Sequence, residues 1–168
     1  MGQSATPRRE ITLEDFNQVI EESHKLSQSG YYKAGTWSLG QICQHLSQFM
    51  EQSLDGFKDE PSLLLKLASP VIKMMYLGKM LKGQTLTVKA AALPSTLPDN
   101  NADDPNGIVL LEKNIKRILA EDATFRTSPV FGKLTPEKWR KLHLWHCNHH
   151  LSFLTPPTAQ PVRLREAS

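Results

Sequence analysis

Apolar residues recur every three to four positions over most of the chain, and short polar or proline-containing breaks separate the runs. This spacing is typical of amphipathic helices that bury one face. The first predicted helix runs from about Leu13 to Ser29, with Thr12 as its N-cap and Gly30 as its stop.

The second predicted helix opens with a capping box formed by Ser38 and Gln41 and ends at Asp55-Gly56. A third helical stretch, Pro61 to Lys82, is very rich in Leu, Ile, Val and Met. Pro70 predicts a bend in this stretch, because proline cannot donate the backbone hydrogen bond of a helix interior.

One long irregular segment, Gly83 to Asn106, separates the third stretch from the remaining helices, and within it Thr85–Val88 predicts a short extended piece. A further helix begins at Pro105, with Asp104 as its cap. The last helix, Thr135 to about Leu154, opens with a cap, a proline and an acid.

No strand pattern able to build a sheet is visible, so the expected fold class is all-α. Four amphipathic helices and the apolar stretch predict a four-helix bundle with a long crossover and one extra apolar helix. The expected organisation is a flexible arm over 1–10, the bundle over 11–154 and a proline-containing tail over 155–168.

Composition narrows the class of protein. The 168 residues suffice for one domain, and 39% hydrophobic with 22% charged residues excludes a largely disordered chain. The net charge of +3 is too small to indicate a nucleic-acid partner. Only Cys43 and Cys147 could form a disulfide, and Met1–Glu10 lacks the apolar core of a secretory signal, so a cytoplasmic location is expected.

The six histidines carry the chemistry worth pursuing. At about 100° per residue, His146 and His150 lie near the centre of the apolar stripe of the last helix, one turn apart. His143 falls on that stripe one turn earlier, while His149 lies at its edge and is predicted to face outward. His45 lies at the edge of the stripe of the second helix. Each buried imidazole needs a polar partner, and one shared metal ion would satisfy three.

The spacing of His146 and His150 is also that of the zinc-binding His-Glu-x-x-His helix. Cys147 stands where that motif has its general base, so a zinc peptidase is excluded. On the residues alone, two interpretations stay open: a shared metal site, and ordinary core histidines that are satisfied by hydrogen bonds.

Two segments resemble the DinB/YfiT-like superfamily: Trp37-Ser38-Leu39-Gly40-Gln41-Ile42-Cys43-Gln44-His45-Leu46 and His146-Cys147-Asn148-His149-His150. Phe131–Trp139 and Ser53–Phe57 further resemble an uncharacterised branch of it. The resemblance implies a four-helix bundle in which one His of the second helix and a His-x-x-x-His pair of the last helix hold a divalent metal. Its ligand positions fall on His45, His146 and His150, the residues that the helix faces select.

Three neutral imidazoles leave at least one coordination position for water or substrate, and both zinc and nickel suit nitrogen ligands. Such an ion lowers the pKa of bound water to about 7 or holds a thiol as thiolate. With the resemblance, this predicts a divalent-metal-dependent hydrolase or group transferase, thiol transfer included, acting on a small molecule. The alternative is a non-catalytic metal-binding or stress-related interaction module on the same fold.

The remaining polar and sulfur side chains near these positions are given narrower roles. His143 is the candidate for proton transfer beside the metal, and His24, on the apolar stripe of the first helix, is predicted to be a core histidine. Cys43 and Cys147 are predicted to be small buried hydrophobes. Polar neighbours that could assist the ligands are Gln41, Gln48 and Asn148.

The stretch Pro61–Lys82 has too many apolar residues for one buried stripe, and lysines interrupt it too often for a membrane span. A basic helix lying on an anionic membrane is one explanation. A homodimer that buries the second flank of this helix is the favoured one.

Overall fold

The computed structural model describes residues 8–60, 63–86 and 93–157. Most of these residues are helical and the one sheet among them has two strands, which confirms the all-α class. The elements in chain order are α1 (Phe16–Ser29), β1 (Tyr32–Lys33), α2 (Leu39–Asp55), α3 (Leu63–Ile72), a π-helical turn (Lys73–Leu77), α4 (Gly78–Leu81), a 3-10 turn (Pro94–Thr96), α5 (Asp104–Leu119), α6 (Pro136–Leu151) and β2 (Leu154–Thr155).

The four long helices α1, α2, α5 and α6 pack together, and α4 lies against the outside of α6. The main core between the long helices is apolar, and its fully buried members include Val19, Leu26, Leu39, Ile42, Leu46, Met50, Leu111, Ile115, Ile118 and Leu151. A second, more aromatic core lies between α6, the loop before it and α4, and is formed by Leu77, Phe131, Leu134, Trp139 and Leu142.

The backbones of α2 and α5 approach each other closely at two glycines. A Cβ atom placed on Gly107 would lie 2.7 Å from the carbonyl oxygen of Gly40 and 2.9 Å from its Cα. A Cβ on Gly40 would overlap the backbone of Asp103. No other residue fits at either position without separating the two helices, so this contact fixes how α2 and α5 cross.

The first turn of α5 differs from the prediction. Asp103 is the N-cap, because its Oδ1 accepts a hydrogen bond of 2.9 Å from the N–H of Asn106. Asp104, predicted as the cap, is instead the first helical residue. Its carboxylate accepts bonds from the hydroxyl of Tyr31 and from the N–H of Gly40, at the first turn of α2. An acid at a helix N-terminus is favourable, and here it ties two helices together.

Helix α1 begins three residues later than predicted. Asp15, not Thr12, is its N-cap and accepts from the N–H of Gln18. The reason lies in Leu13, whose backbone N–H and carbonyl are both bonded to the side-chain amide of Asn148 on α6. Leu13 is therefore held outside the helix. The predicted capping box of Ser38 and Gln41 and the end of α2 at Asp55-Gly56 are confirmed.

Helix α6 begins at the predicted cap, Thr135, but ends at Leu151 rather than Leu154. Leu154 and Thr155 pair with β1 in an antiparallel ladder, Tyr32 opposite Thr155. The expectation that no sheet would form was therefore wrong, because these two strands of two residues each form a short sheet. Such a short ladder has no periodicity that a sequence could display.

Segment 63–81 is helical, as predicted, and Pro70 lies inside α3. The departure from α-helical bonding falls after it, at the π-helical turn Lys73–Leu77. In the described part of the chain, no helix is long and apolar enough to cross a membrane. Of the predicted extended piece, Thr85 and Leu86 form no strand, and the other two residues lie outside the described ranges.

The described parts of the long crossover, 83–86 and 93–103, are irregular apart from the 3-10 turn, and the second part lies along α2. The carbonyl of Thr96 contacts His45, and the backbone N–H of Asp99 donates to the side chain of Gln44. The carbonyl of Ser95 accepts from the side-chain amide of Gln52. These bonds lie about two turns apart along α2, so the crossover covers the side of α2 that carries His45.

We predict that Gly107→Ala lowers the free energy of unfolding by about 1–3 kcal/mol, because its Cβ overpacks the contact with Gly40. Urea unfolding followed by circular dichroism measures it. Gly78→Ala is the matched control, since nothing lies within 4 Å of its Cβ and its φ is −60°. We expect that change to add about 0.5–1 kcal/mol. Equal effects of the two substitutions would contradict the proposed close contact.

Candidate metal centre

Three histidine side chains from two helices converge at one point between α2 and α6. The Nε2 atom of His146 lies 3.2 Å from Nε2 of His45 and 3.0 Å from Nε2 of His150. The ligand atoms of all three lie within 4.8 Å of one another. The one-turn spacing on α6 places two rings side by side, and α2 supplies the third, so the structure brings together the three predicted ligands.

The carbonyl oxygen of Thr96 fixes the orientation of His45. Its distance from Nδ1 of His45 is 2.7 Å, and His45 is buried. A carbonyl oxygen only accepts, so Nδ1 carries the proton and donates it. In the neutral ring Nε2 then has a free lone pair, directed at the other two histidines. Histidines that bind metal ions have such an outer partner.

Hydrogen bonds among the three histidines cannot satisfy all of their ring nitrogens. Nε2 of His45 is an acceptor, and a proton on Nε2 of His146 can point along only one of its two short contacts. The ring of His146 has a second difficulty, since its Nδ1 is buried without a hydrogen-bond partner among the described residues. A positive ion in the middle would accept all three Nε2 lone pairs at once.

The cluster is held in its neutral form. Burial lowers the pKa of His45, and it lowers the pKa of His146 and His150 well below the ordinary value. For His146 and His150 the neighbouring imidazoles act in the same direction, because each disfavours a second positive charge. Neutral imidazole is the form that binds metal.

Aromatic rings hold the imidazoles in place. Trp37 stacks on His150, with ring centroids 5.6 Å apart at 20°, and its centroid is 5.0 Å from that of His45. Phe49 meets His146 edge to face at 4.9 Å. Trp37 therefore packs against the cluster itself.

His149 does not belong to the cluster. Its ring stacks on Trp145 at 5.2 Å, and its Nδ1 lies 3.3 Å from Nη2 of Arg8. Arg8 also donates to Ser152, so this residue of the predicted arm contacts the end of α6. Burial, then the Arg8 charge, lowers the pKa of His149 to about 4.

His143, the predicted catalytic residue, lies in the second core. Its Nε2 is 2.9 Å from the hydroxyl of Ser53, and its ring stacks on Trp139 at 5.4 Å. The ring of Phe49 packs against the rings of both His143 and His146. Complete burial lowers the pKa of His143 to about 3. The structure does not place it among the ligands.

The other predicted polar residues have structural contacts. His24 is exposed and pairs with Glu112 at 2.7 Å, so its prediction as a core histidine was wrong. Asn148 holds Leu13. Gln41 closes its capping box and donates to the carbonyl of Asp99. The side-chain oxygen of Gln48 is buried without a partner among the described residues.

The two cysteines are buried and free, as predicted. Burial raises the pKa of Cys43 to about 12 and raises that of Cys147 further. Neither thiol is therefore a thiolate at neutral pH, and neither is among the residues of the three-histidine cluster.

The fold and site together define an all-α helical bundle with a three-histidine cluster able to hold a metal ion. The chain belongs to the family described as "Protein of unknown function (DUF1569)", whose sequence model matches residues 5–157. No curated protein and no solved structure gives a significant match.

We predict that substituting a ligand histidine removes the metal, whereas substituting a neighbouring histidine does not. His45→Ala and His146→Ala should each abolish stoichiometric zinc after dialysis, because two imidazoles bind far more weakly than three. His149→Ala is the matched control from the same helix and should retain the metal. Inductively coupled plasma mass spectrometry measures the content. If His149 proves essential and His150 dispensable, the assignment of faces on α6 is wrong.

A second prediction concerns acid stability without metal. His143 has a folded-state pKa of about 3 against an ordinary 6.5, so the unfolded chain binds more protons between these values. Stability is therefore lost as the pH falls from about 6.5 towards 3. His143→Leu should reduce this slope by up to about 1.4 kcal/mol per pH unit.

Urea unfolding of the chelator-treated protein at several pH values measures that slope. Leu142→Ala is the control, since it destabilises the same core without removing a titrating group. An unchanged slope in His143→Leu would show that this imidazole is accessible to protons in the folded state.

Proposed function

We propose that the chain binds one divalent transition-metal ion, zinc or nickel, through Nε2 of His45, His146 and His150. The observation that carries this proposal is the convergence of three neutral imidazoles on one point. We further propose that this family is a branch of the DinB/YfiT-like superfamily. The ligand residues, their helices and the bundle agree with that placement.

The residues present fit such an ion. Nitrogen ligands about 2.0–2.1 Å from a tetrahedral zinc ion lie about 3.3 Å from one another. Two of the three separations in the cluster are 3.2 Å and 3.0 Å, from Nε2 of His146 to those of His45 and His150, and all three lie within 4.8 Å. When Nε2 of His146 is the ligand atom, its Nδ1 carries the proton, and this N–H has no partner among the described residues with or without an ion.

The donor set favours an open, electrophilic site. In the described part of the chain no carboxylate or thiol joins the three imidazoles, so the ligands neutralise none of the ion's charge. Three ligands leave a position for water or substrate, and a bound ion of this kind lowers the pKa of water to about 7 or holds a thiolate. His146 and His150 each keep part of their surface exposed.

We therefore favour a metal-dependent hydrolase or group transferase, thiol transfer included, that acts on a small molecule. In this proposal Thr96 orients His45, and Trp37 and Phe49 hold the rings. The second candidate is a non-catalytic metal-binding module. What favours it is the position of His143, which bonds to Ser53 and contacts Phe49 rather than the cluster.

Two probe reactions distinguish the candidates. We expect the zinc- or nickel-loaded protein to hydrolyse p-nitrophenyl acetate or to couple a small thiol to chlorodinitrobenzene. The rate should fall at least tenfold in His45→Ala, because the ion is lost. The control is His24→Ala, whose ring is exposed and paired with Glu112, and which should keep the full rate. Equal rates in the loaded protein and in His45→Ala would support the non-catalytic module.

A further inference from the structure

The helical segment after α2 has one buried and one exposed flank. Leu77 is buried in the second core, and Ile72, Met80 and Leu81 pack around it. On the outside, four large apolar side chains face solvent: Leu67 is 70% exposed, Val71 53%, Met74 79% and Met75 50%. These four residues are called the apolar face below.

The apolar face is contiguous. Its members follow one another at intervals of four, three and one residues, which keeps them on neighbouring turns of one helix. The other exposed large hydrophobic residues in the described part of the chain are spread over the bundle: Tyr32, Leu97, Val109, Leu110 and Leu119. Isolated exposed apolar residues are ordinary, but a contiguous exposed patch indicates a binding surface.

The charge around this face is of one sign. Lys73, Lys79 and Lys82 are exposed on the same segment. The sequence from 61 to 98 contains five lysines and no aspartate or glutamate. An apolar helix face bordered by lysines is complementary to a surface that offers acyl chains below and negative charge above, since lysine can bury its stem and keep its ammonium in water.

We propose that the apolar face docks on the surface of an anionic lipid membrane, with Lys79 and Lys82 contacting the headgroups. The described segment is too short and too charged to cross a bilayer, so it would lie in the plane of the interface. A second copy of the chain fits less well. A two-fold contact sets the same patch against itself, so both sides carry lysines and the segment supplies no acid to pair with them.

The test is co-sedimentation of the full-length protein with lipid vesicles. We expect binding to vesicles of phosphatidylcholine with phosphatidylserine, and little binding to phosphatidylcholine alone. Raising NaCl from about 0.1 M to about 1 M shortens the Debye length from about 10 Å to about 3 Å and should weaken the binding. Lys79→Gln with Lys82→Gln should weaken it about 25-fold, at about fivefold per lysine.

Val71→Ser with Met74→Ser should weaken vesicle binding at least tenfold, because two exposed apolar side chains no longer enter the lipid. Matched controls lie on α5, where Val109 and Leu119 are exposed apolar residues and Lys113 and Lys116 are exposed lysines. The corresponding double changes there should leave binding unaltered. Circular dichroism confirms that each variant remains helical.

Absence of binding to the anionic vesicles would overturn the proposal, and so would unchanged binding by the apolar double variant. Light scattering at micromolar concentration tests whether a second copy of the chain occupies the apolar face instead. A mass of twice 18.9 kDa that falls to 18.9 kDa in Val71→Ser with Met74→Ser would assign the apolar face to a second copy instead.

Discussion

The rest of the site depends on one constraint: α2 and α6 bring three imidazoles together at one point. Burial makes charged imidazoles costly, so the rings are neutral, and neutral rings that turn Nε2 atoms towards one another have more lone pairs than protons to share. The surroundings do not relieve this. The carbonyl of Thr96 directs the lone pair of His45 inward, and Trp37 and Phe49 cover the rings. Because these lone pairs outnumber the protons available to them, the arrangement is well suited to binding a cation.

Helix α2 brings the parts of this arrangement together. Its first turn is fixed by the glycine contact with α5 and by the carboxylate of Asp104. Its middle carries His45, and its outer side is bonded to the crossover at Gln44 and Gln52. The close approach to α5 sets where α2 lies, and the crossover sets the tautomer of its histidine. Fold and site therefore depend on the same helix.

Periodicity put the three histidines on buried helix faces because they lie on helices, and the family resemblance separated them from His143, which lies on the same stripe. Rotation by 100° per residue puts His146 and His150 on one buried face, and that argument needs no knowledge of the partner. It failed for His24, which lies on an apolar stripe yet is exposed beside Glu112. Position on a stripe says which way a side chain points, but burial also requires a neighbouring helix to cover it.

The caps show where local sequence is insufficient. Asp103 and Asp104 are equally good caps by residue type, and Thr12 and Asp15 are both favourable caps, although Asp ranks above Thr. The choice was made by distant partners: Tyr31 and Gly40 for Asp104, and Asn148 for Leu13. The bond that orients His45 could not be predicted either, because its acceptor is the backbone of an irregular segment, and a backbone carbonyl has no sequence signature.

Helix α6 is held from several sides, and this bears on how the cluster would take up an ion. Arg140 donates to the carbonyls of Ile118, in the last turn of α5, and of Ala120, its C-cap. Asn148 bonds to Leu13, and Trp145 donates to the carbonyl of Gln84 after α4. Rotating α6 enough to separate its histidines from His45 would break bonds to three different segments. The ring positions are therefore set by the fold before any ion arrives, so little ordering entropy remains to oppose binding.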